Sequence, residues 1–290
     1  MRKGAETMEE TKKNEAMELI DFDDKFTQVL NDWVEKNQTK FANADEMEAA
    51  MPDVYLRFLN TPADWLGGKA PGNAFDDVND AGELVALMKR YIEEEIPVPD
   101  PLLDRIAEIA DDKPLMELVK DKSAPCEARM MGIELLRQMD STAPMVDFLR
   151  WQVERDDEDD ILDNALESLR QMGQQAVKPA KIAFHAADEA GKEALLDLLA
   201  DYPGDQEVFD FALNQFKTTK DKRALYAGYL AKLDDDHALE ALLDVAEGDD
   251  VTYIDFIEIR SAIERLGSEA PVRDFSNDPT YKAVKRLQLK

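Results

Sequence analysis

The chain has 290 residues, of which 44% are hydrophobic and 34% charged. This composition fits a globular protein with unusually many charges and excludes collagenous or low-complexity structure. Asp and Glu number 64 against 35 Lys and Arg, so the formal charge is −29 at pH 7. Nucleic acid and anionic membranes require a cationic surface and are therefore not expected partners. One cysteine permits no internal disulfide, and no apolar run approaches a membrane span, so we expect a cytoplasmic protein.

The N-terminal third of the chain is separated from the rest by a run of prolines. Residues 1–15 are polar and charged, and we expect them to be disordered or frayed. We expect residues 16–99 to form an N-terminal helical region. Three prolines between positions 97 and 101 disfavour helix and predict the boundary with a second region, residues 100–290.

Three helices are predicted before that boundary. Phe22, Phe26 and Trp33 lie at helical spacing and indicate the first. The second is expected to begin at Pro52, because proline is favoured in the first turn of a helix. Asp80, followed three residues later by a glutamate, predicts the start of the third.

The segment 58–71 connects the second and third of these helices and contains two consecutive glycines, Gly67 and Gly68. Glycine supplies the positive φ angles of a tight turn, so the segment can be a connection in which Trp65 fills the N-terminal core. Its Leu-Gly-Gly-x-x-Pro core also resembles the toxin-binding motif of some bacterial antitoxins. That resemblance implies an antitoxin-like regulator, and both interpretations stay open.

A repeat of 30 to 33 residues runs through the second region. Its signature is three positions at i, i+4 and i+7, which lie on one face of an α-helix. All of these positions are apolar except Gly132. A turn rich in Gly, Pro, Asp or Ser and a second amphipathic stretch follow, so the unit is a helical hairpin. The six signatures are Leu102/Ile106/Ile109, Gly132/Leu136/Met139, Ala165/Leu169/Met172, Leu195/Leu199/Tyr202, Tyr226/Leu230/Leu233 and Ile259/Ile263/Leu266.

The repeat predicts an all-α fold. A single hairpin cannot cover its own apolar faces, whereas hairpins stacked in sequence bury them continuously. The turns at 172–176 (Met-Gly-Gln-Gln-Ala) and 266–270 (Leu-Gly-Ser-Glu-Ala) resemble the Leu-Gly-x-x-Ala turn of bacterial HEAT-like repeats. We therefore predict an α-solenoid, a right-handed superhelix of stacked helical hairpins behind an N-terminal helical cap. The resemblance implies a protein that binds other macromolecules on a concave face.

Side chains off the apolar stripe of the second helices are the candidates for binding, because an exposed aromatic residue has no role in folding. Trp151 is expected to project away from the stripe formed by Met145, Leu149 and Val153, and Phe211 from the stripe of its own helix. Burial between neighbouring repeats is the alternative for both. The predicted acidic face comprises Trp151, Phe211, Asp147, Glu154, Asp210, Asn214, Glu240 and Asp244.

Patterns of catalytic or metal-binding residues are weak. The chain has only two histidines, and Cys126 is expected to be a small core residue. No zinc spacing or phosphate loop is evident, and the calcium-loop match at 77–88 fails because Ala81 and Met88 stand at ligand positions. Acidic runs such as 234–236 fit helix caps. We therefore expect no cofactor, no metal and no catalytic residue.

The sequence thus predicts a non-catalytic scaffold that binds a basic protein or peptide on its concave face. One alternative is an enzyme or enzyme subunit that uses carboxylates of the N-terminal region, and another is the antitoxin-like regulator. The C-terminal stretch 281–290 holds four basic residues and no acid. It is either a terminal helix with cations near its C-terminus or a segment that docks on an acidic patch. The oligomeric state stays open.

Overall fold

A computed structural model describes residues 18–288, which form α-helices and short 3₁₀ turns and contain no β-strand. The all-α prediction is confirmed for this part of the chain. No helix within it combines the length and apolar character that a membrane span requires. The predicted disordered segment 1–15 lies outside the described residues.

The chain divides into two compact units, Met1–Ser141 (unit 1) and Thr142–Lys290 (unit 2). The boundary predicted after residue 99 lies inside unit 1. The described part of unit 1 contains seven α-helices: α1 Phe22–Asn37, α2 Ala44–Ala49, α3 Met51–Asn60, α4 Ala81–Glu93, α5 Asp100–Ile109, α6 Asp112–Lys120 and α7 Cys126–Gln138.

Helix α4 lies at the centre of unit 1, where it packs against α5, α6 and α7. Leu84 and Met88 of α4 have no exposed surface. Tyr91 of the same helix holds the start of the described chain, because its hydroxyl donates to the carbonyl oxygen of Ile20 and accepts from the Ile20 N–H, both at 3.2 Å. The first helices of the predicted array thus share one core with the N-terminal region.

Local features mark the start of each predicted N-terminal helix, a side-chain cap for α1 and α4 and a proline for α3. Asp21 accepts a hydrogen bond from the backbone N–H of Asp24 at the start of α1. Pro52 lies in the first turn of α3. Asp80 accepts from the N–H groups of Gly82 and Glu83 at the start of α4, which confirms the helix predicted there. Each cap satisfies donors that have no partner within the helix.

The described part of unit 2 contains nine α-helices: α8 Met145–Glu154, α9 Asp159–Gln171, α10 Gln174–Ala186, α11 Glu189–Leu199, α12 Gln206–Thr218, α13 Arg223–Leu233, α14 Leu239–Glu247, α15 Tyr253–Arg265 and α16 Pro279–Gln288. Contacts join several helices that follow one another in sequence, and also helices two apart: α8 with α10, α9 with α11, and α13 with α15.

The repeat signatures mark helices that each have a buried face. They begin on α5, α7, α9, α11, α13 and α15, and the first two positions of all six are buried. One of these buried positions is Gly132 on α7. A Cβ there would lie 2.9 Å from Cγ1 of Val119 on α6, too close for a side chain to fit. The missing side chain lets the two helices approach, which explains the one departure from the apolar pattern.

Candidate binding surfaces

The carboxylates of α14 form an acidic stripe along one side of the helix. Glu240, Asp244 and Glu247 are spaced at i, i+4 and i+7, and all three are exposed. Leu242 and Ala246 on the other side are buried. No cation among residues 18–286 forms an ion pair with these carboxylates. Like charges four residues apart destabilise a helix by about 0.2–0.5 kcal/mol, so a cationic partner would relieve a repulsion already present.

Helix α12 carries three of the predicted binding residues. Asp210 and Asn214 are exposed, and the Asp210 carboxylate accepts a hydrogen bond from Nε2 of Gln206 at 2.9 Å. Phe211 is half-buried, and its ring meets the ring of Phe184 edge to face with centroids 5.6 Å apart. Phe211 therefore combines a structural contact with a partly accessible aromatic surface.

The prediction that Trp151 projects to solvent is wrong, because its side chain is only 4% exposed. Helix α8 contacts α9, α10 and α11, so its buried side is wider than one stripe. The Trp151 ring packs against Phe148 with centroids 5.2 Å apart. Gln152 is also buried and donates from Nε2 to the carbonyl oxygen of Leu162 at 2.7 Å. Trp151 is therefore a core residue of unit 2, the alternative that the sequence left open.

The two acidic residues predicted on α8 are already paired with a cation. Asp147 lies 2.9 Å from the Arg150 guanidinium, and Glu154 lies 3.7 Å from it. Asp147 is half-buried and Glu154 exposed. Of the predicted acidic face, the structure thus leaves the carboxylates of α12 and α14 without a compensating cation. On α8, Trp151 is buried in the core, and Asp147 and Glu154 are paired with Arg150.

Residues 281–288 of the basic C-terminal stretch belong to α16, which contacts α15. The Tyr281 ring packs on Tyr253 with centroids 5.0 Å apart, and Lys285 lies over the Tyr281 ring at 5.6 Å. The carboxylate of Asp278 accepts hydrogen bonds from the N–H groups of Tyr253 and Tyr281 at 3.2 and 3.0 Å. These contacts hold the start of α16 against the start of α15. The last two residues of the stretch lie outside the described part.

The acidic run before α14 caps a 3₁₀ turn, Asp236–Ala238, that leads into the helix. Asp235 accepts from the backbone N–H of His237 at 3.0 Å, and its carboxylate lies 2.7 Å from Nδ1 of the same imidazole. This contact raises the pKa of His237 above its usual 6.5. One ligand atom from each of Asp235, Asp236 and His237 lies within 4.8 Å of the others, a spacing compatible with a cation. Their hydrogen bonds are those of a helix start.

Cys126, expected in the core, is half-buried at the first position of α7. Three carboxylates of unit 1, the region on which the enzyme alternative depends, are engaged in structural contacts. Asp77 pairs with Lys69, and that pairing lowers the pKa of the Asp77 carboxyl. Asp80 caps α4, and Asp111 caps α6 by accepting from the N–H of Lys113 at 3.0 Å. They line an open depression with Asn79 and Glu83.

An aromatic pocket lies in unit 1 between α1, α3 and the segment 61–71. Its volume is about 300 Å³. Most of its walls are apolar and only two lining residues, Arg57 and Thr61, are polar. The complete lining is Val29, Trp33, Val54, Arg57, Phe58, Thr61, Pro62, Ala63, Trp65 and Pro71.

The glycine turn builds one wall of this pocket. Gly67 and Gly68 have φ angles of 62° and 91°, which confirms the turn geometry expected from the sequence. The turn brings the N–H of Ala63 within 3.0 Å of the Lys69 carbonyl oxygen and closes the segment on itself. Trp65 then packs edge-on against the Phe22 ring, with centroids 5.2 Å apart. One of the two interpretations of this segment from sequence puts Trp65 in the N-terminal core, but no pattern in the sequence indicates that the aromatic packing leaves a pocket.

Comparison with protein-family models and with curated proteins gives no match to the chain.

Proposed function

We propose that the chain is a non-catalytic scaffold that binds a basic protein or peptide through the exposed carboxylates of α12 and α14. The observation that supports this most directly is the uncompensated stripe of Glu240, Asp244 and Glu247. Asp210 adds a fourth exposed carboxylate in the same unit. We further propose that the protein acts in the cytoplasm.

The charge of the whole chain supports a cationic partner. A formal charge of −29 creates a negative potential that attracts cations and repels nucleic acid and anionic lipid. The stripe on α14 concentrates that potential locally, because no described cation forms an ion pair with its carboxylates. Arg273, a cation that contacts the end of this helix, donates to the carbonyl oxygens of Ala246 and Gly248 rather than to the stripe. Phe211, half-buried beside Asp210, offers an aromatic surface on which the aliphatic part of a lysine or arginine side chain can lie.

We also propose that the hairpins from residue 100 onward stack as a HEAT-like α-solenoid. The contacts of α8 with α10, of α9 with α11 and of α13 with α15 support this arrangement, because stacked hairpins place first helices beside first helices and second helices beside second helices. The contact of α8 with α11 departs from it, because these two helices belong to hairpins that are not consecutive. The burial of the first two signature positions on six helices supports it too. In such a stack α12 and α14 would belong to the same layer, which would extend the acidic surface over two repeats.

The proposed function is tested by removing the charges of the stripe without changing its shape. The variant E240Q/D244N/E247Q replaces three exposed carboxylates, so we expect its fold to be unchanged. We expect its affinity for a lysine-rich peptide to fall roughly tenfold, about 0.5 kcal/mol per lost ion pair. The measurement is fluorescence anisotropy of the labelled peptide at low salt.

The matched control is E35Q/D45N/E48Q, which removes the same net charge from exposed carboxylates of unit 1 that, like those of the stripe, form no ion pair within the described chain. We expect this control to reduce the affinity much less, because its carboxylates are not part of the proposed binding surface and act only through the screened long-range potential. Equal losses in the two triple variants would show that the stripe is not the binding surface.

A further inference from the structure

The aromatic pocket of unit 1 has the size and lining of a small-molecule site. Its volume of about 300 Å³ is at the lower end of the range of ligand pockets, roughly 300–1,000 Å³. Such sites are mostly apolar and carry a few polar groups that orient the ligand. Trp33, Phe58 and Trp65 supply aromatic walls, and Pro62 and Pro71 supply rigid ones.

The one charged residue in the lining is Arg57 on α3. Its Nε donates to the carbonyl oxygen of Asp53 in its own helix at 3.3 Å. Within the described residues no carboxylate lies within ion-pair distance of its guanidinium, although the chain is strongly acidic. The guanidinium keeps donors for an anion at the edge of an apolar pocket, and planar guanidinium groups suit carboxylates.

We infer that this pocket binds a small apolar monocarboxylate, with its hydrocarbon part between the aromatic walls and its carboxylate on Arg57. The inference does not depend on the proposed binding of a basic protein by unit 2. An acidic protein segment is a poorer occupant, because its several charges would be repelled by a chain of net charge −29. A single carboxylate on a small molecule meets little of that repulsion and gains the contact with Arg57.

The neighbouring segment keeps the pocket open in one shape. Thr61 donates from its hydroxyl to the carbonyl oxygen of Arg57 at 2.6 Å, which ties the end of α3 to the segment that follows. The Trp65 ring stacks on Phe58 with centroids 6.4 Å apart, and Phe58 is itself buried. A pocket fixed in this way needs little ordering when a ligand enters, which favours binding.

The three tryptophans of the chain allow a direct test on the full-length protein. Trp33 and Trp65 line the pocket, whereas Trp151 lies in the core of unit 2 and serves as an internal control. Octanoate is titrated at neutral pH while the three indole N–H signals are followed by NMR. We expect the signals of Trp33 and Trp65 to shift and that of Trp151 to stay. Octanamide, which has the same chain without the charge, is expected to bind more weakly.

Arg57→Gln removes the cation from an exposed position and should leave the fold intact. We expect it to weaken octanoate binding roughly fivefold and to leave octanamide unchanged. The control Arg265→Gln removes another exposed arginine without an ion pair, at the end of α15, and should change neither affinity. Val29→Trp, at a 43% exposed wall position, should weaken both probes by narrowing the pocket.

Several results would overturn the inference. They are octanoate leaving the Trp33 and Trp65 signals unmoved, octanamide binding as tightly as octanoate, and unchanged octanoate affinity in Arg57→Gln. None of them bears on the binding of a basic peptide by unit 2, so the two proposals fail separately.

Discussion

Trp151 is a buried residue of helix α8, and its ring packs against Phe148. From the sequence it lies off the apolar stripe of its helix and resembles a contact residue. In the structure three helices surround α8, and the side chain is 4% exposed. The number of neighbours that a helix has is a property of tertiary packing, and periodicity within the helix does not record it. Phe211 is half-buried for a similar reason, its contact with Phe184.

Replacing Trp151 with alanine tests this correction. Because the indole is buried against Phe148, we expect the free energy of unfolding to fall by about 3–5 kcal/mol. The measurement is urea denaturation followed by circular dichroism. Val146→Ala on the same helix is the control, since Val146 is 75% exposed and should change stability by less than about 0.5 kcal/mol. A Trp151 variant as stable as the wild type would contradict its burial.

Two helical glycines give opposite expectations for the same substitution. A Cβ at Gly191 on α11 would lie 3.1 Å from Cα of Val153, which belongs to the backbone of α8 and cannot yield easily. We expect Gly191→Ala to destabilise the protein by about 1–3 kcal/mol. At Gly228 on α13 a Cβ meets nothing within 4 Å. Gly228→Ala should stabilise the protein by about 0.5–1 kcal/mol.

Thermal denaturation of the two glycine variants beside the wild type gives the comparison. Opposite shifts of the melting temperature are expected. Stabilisation by both substitutions would show that α8 and α11 do not approach as closely as the structure indicates.

At the scale of the helix, the sequence predicts the buried line of each first helix but not what lies between helices. The i, i+4, i+7 spacing is set by helix geometry, so the first two signature positions can be predicted and are buried. Caps such as Asp80 are equally local and equally predictable. The aromatic pocket is not, because it depends on how α1, α3 and the glycine turn pack together. The acidic stripe of α14 was predicted in part, through Glu240 and Asp244, and Glu247 completes it.

The start of α14 should respond to pH through His237. Hydrogen bonding to Asp235 raises the pKa of His237 above 6.5 in the folded chain, with a smaller contribution from the charge of Asp236. The charged imidazole therefore stabilises the fold below about pH 6.5. This contribution is lost as the pH rises through the raised pKa.

An NMR titration of the His237 ring protons gives that pKa. Asp235→Asn keeps the cap to the backbone but removes the charge, so the pKa of His237 should move back toward 6.5. A pKa at or below 6.5 in the wild type would contradict the contact between the two side chains.

At the scale of the whole molecule, the charge is the feature that the sequence predicts best. The formal charge of −29 follows from counting residues alone. What the structure adds is its distribution, since the acids of α8 are paired with Arg150 while those of α14 are not. The net negative charge favours a basic partner, and the distribution of unpaired carboxylates favours α14 as the helix that binds it.

The salt dependence of binding tests the proposed function most directly. A labelled lysine-rich peptide is bound to the full-length protein as the ionic strength rises from roughly 0.1 M to roughly 1 M, which shortens the Debye length from about 10 Å to about 3 Å. Duplex DNA of matched concentration is the second probe. We predict that the peptide affinity falls steadily with salt and that DNA is not retained at physiological ionic strength. Peptide binding that is absent or independent of salt, or retention of the DNA, would contradict the proposal.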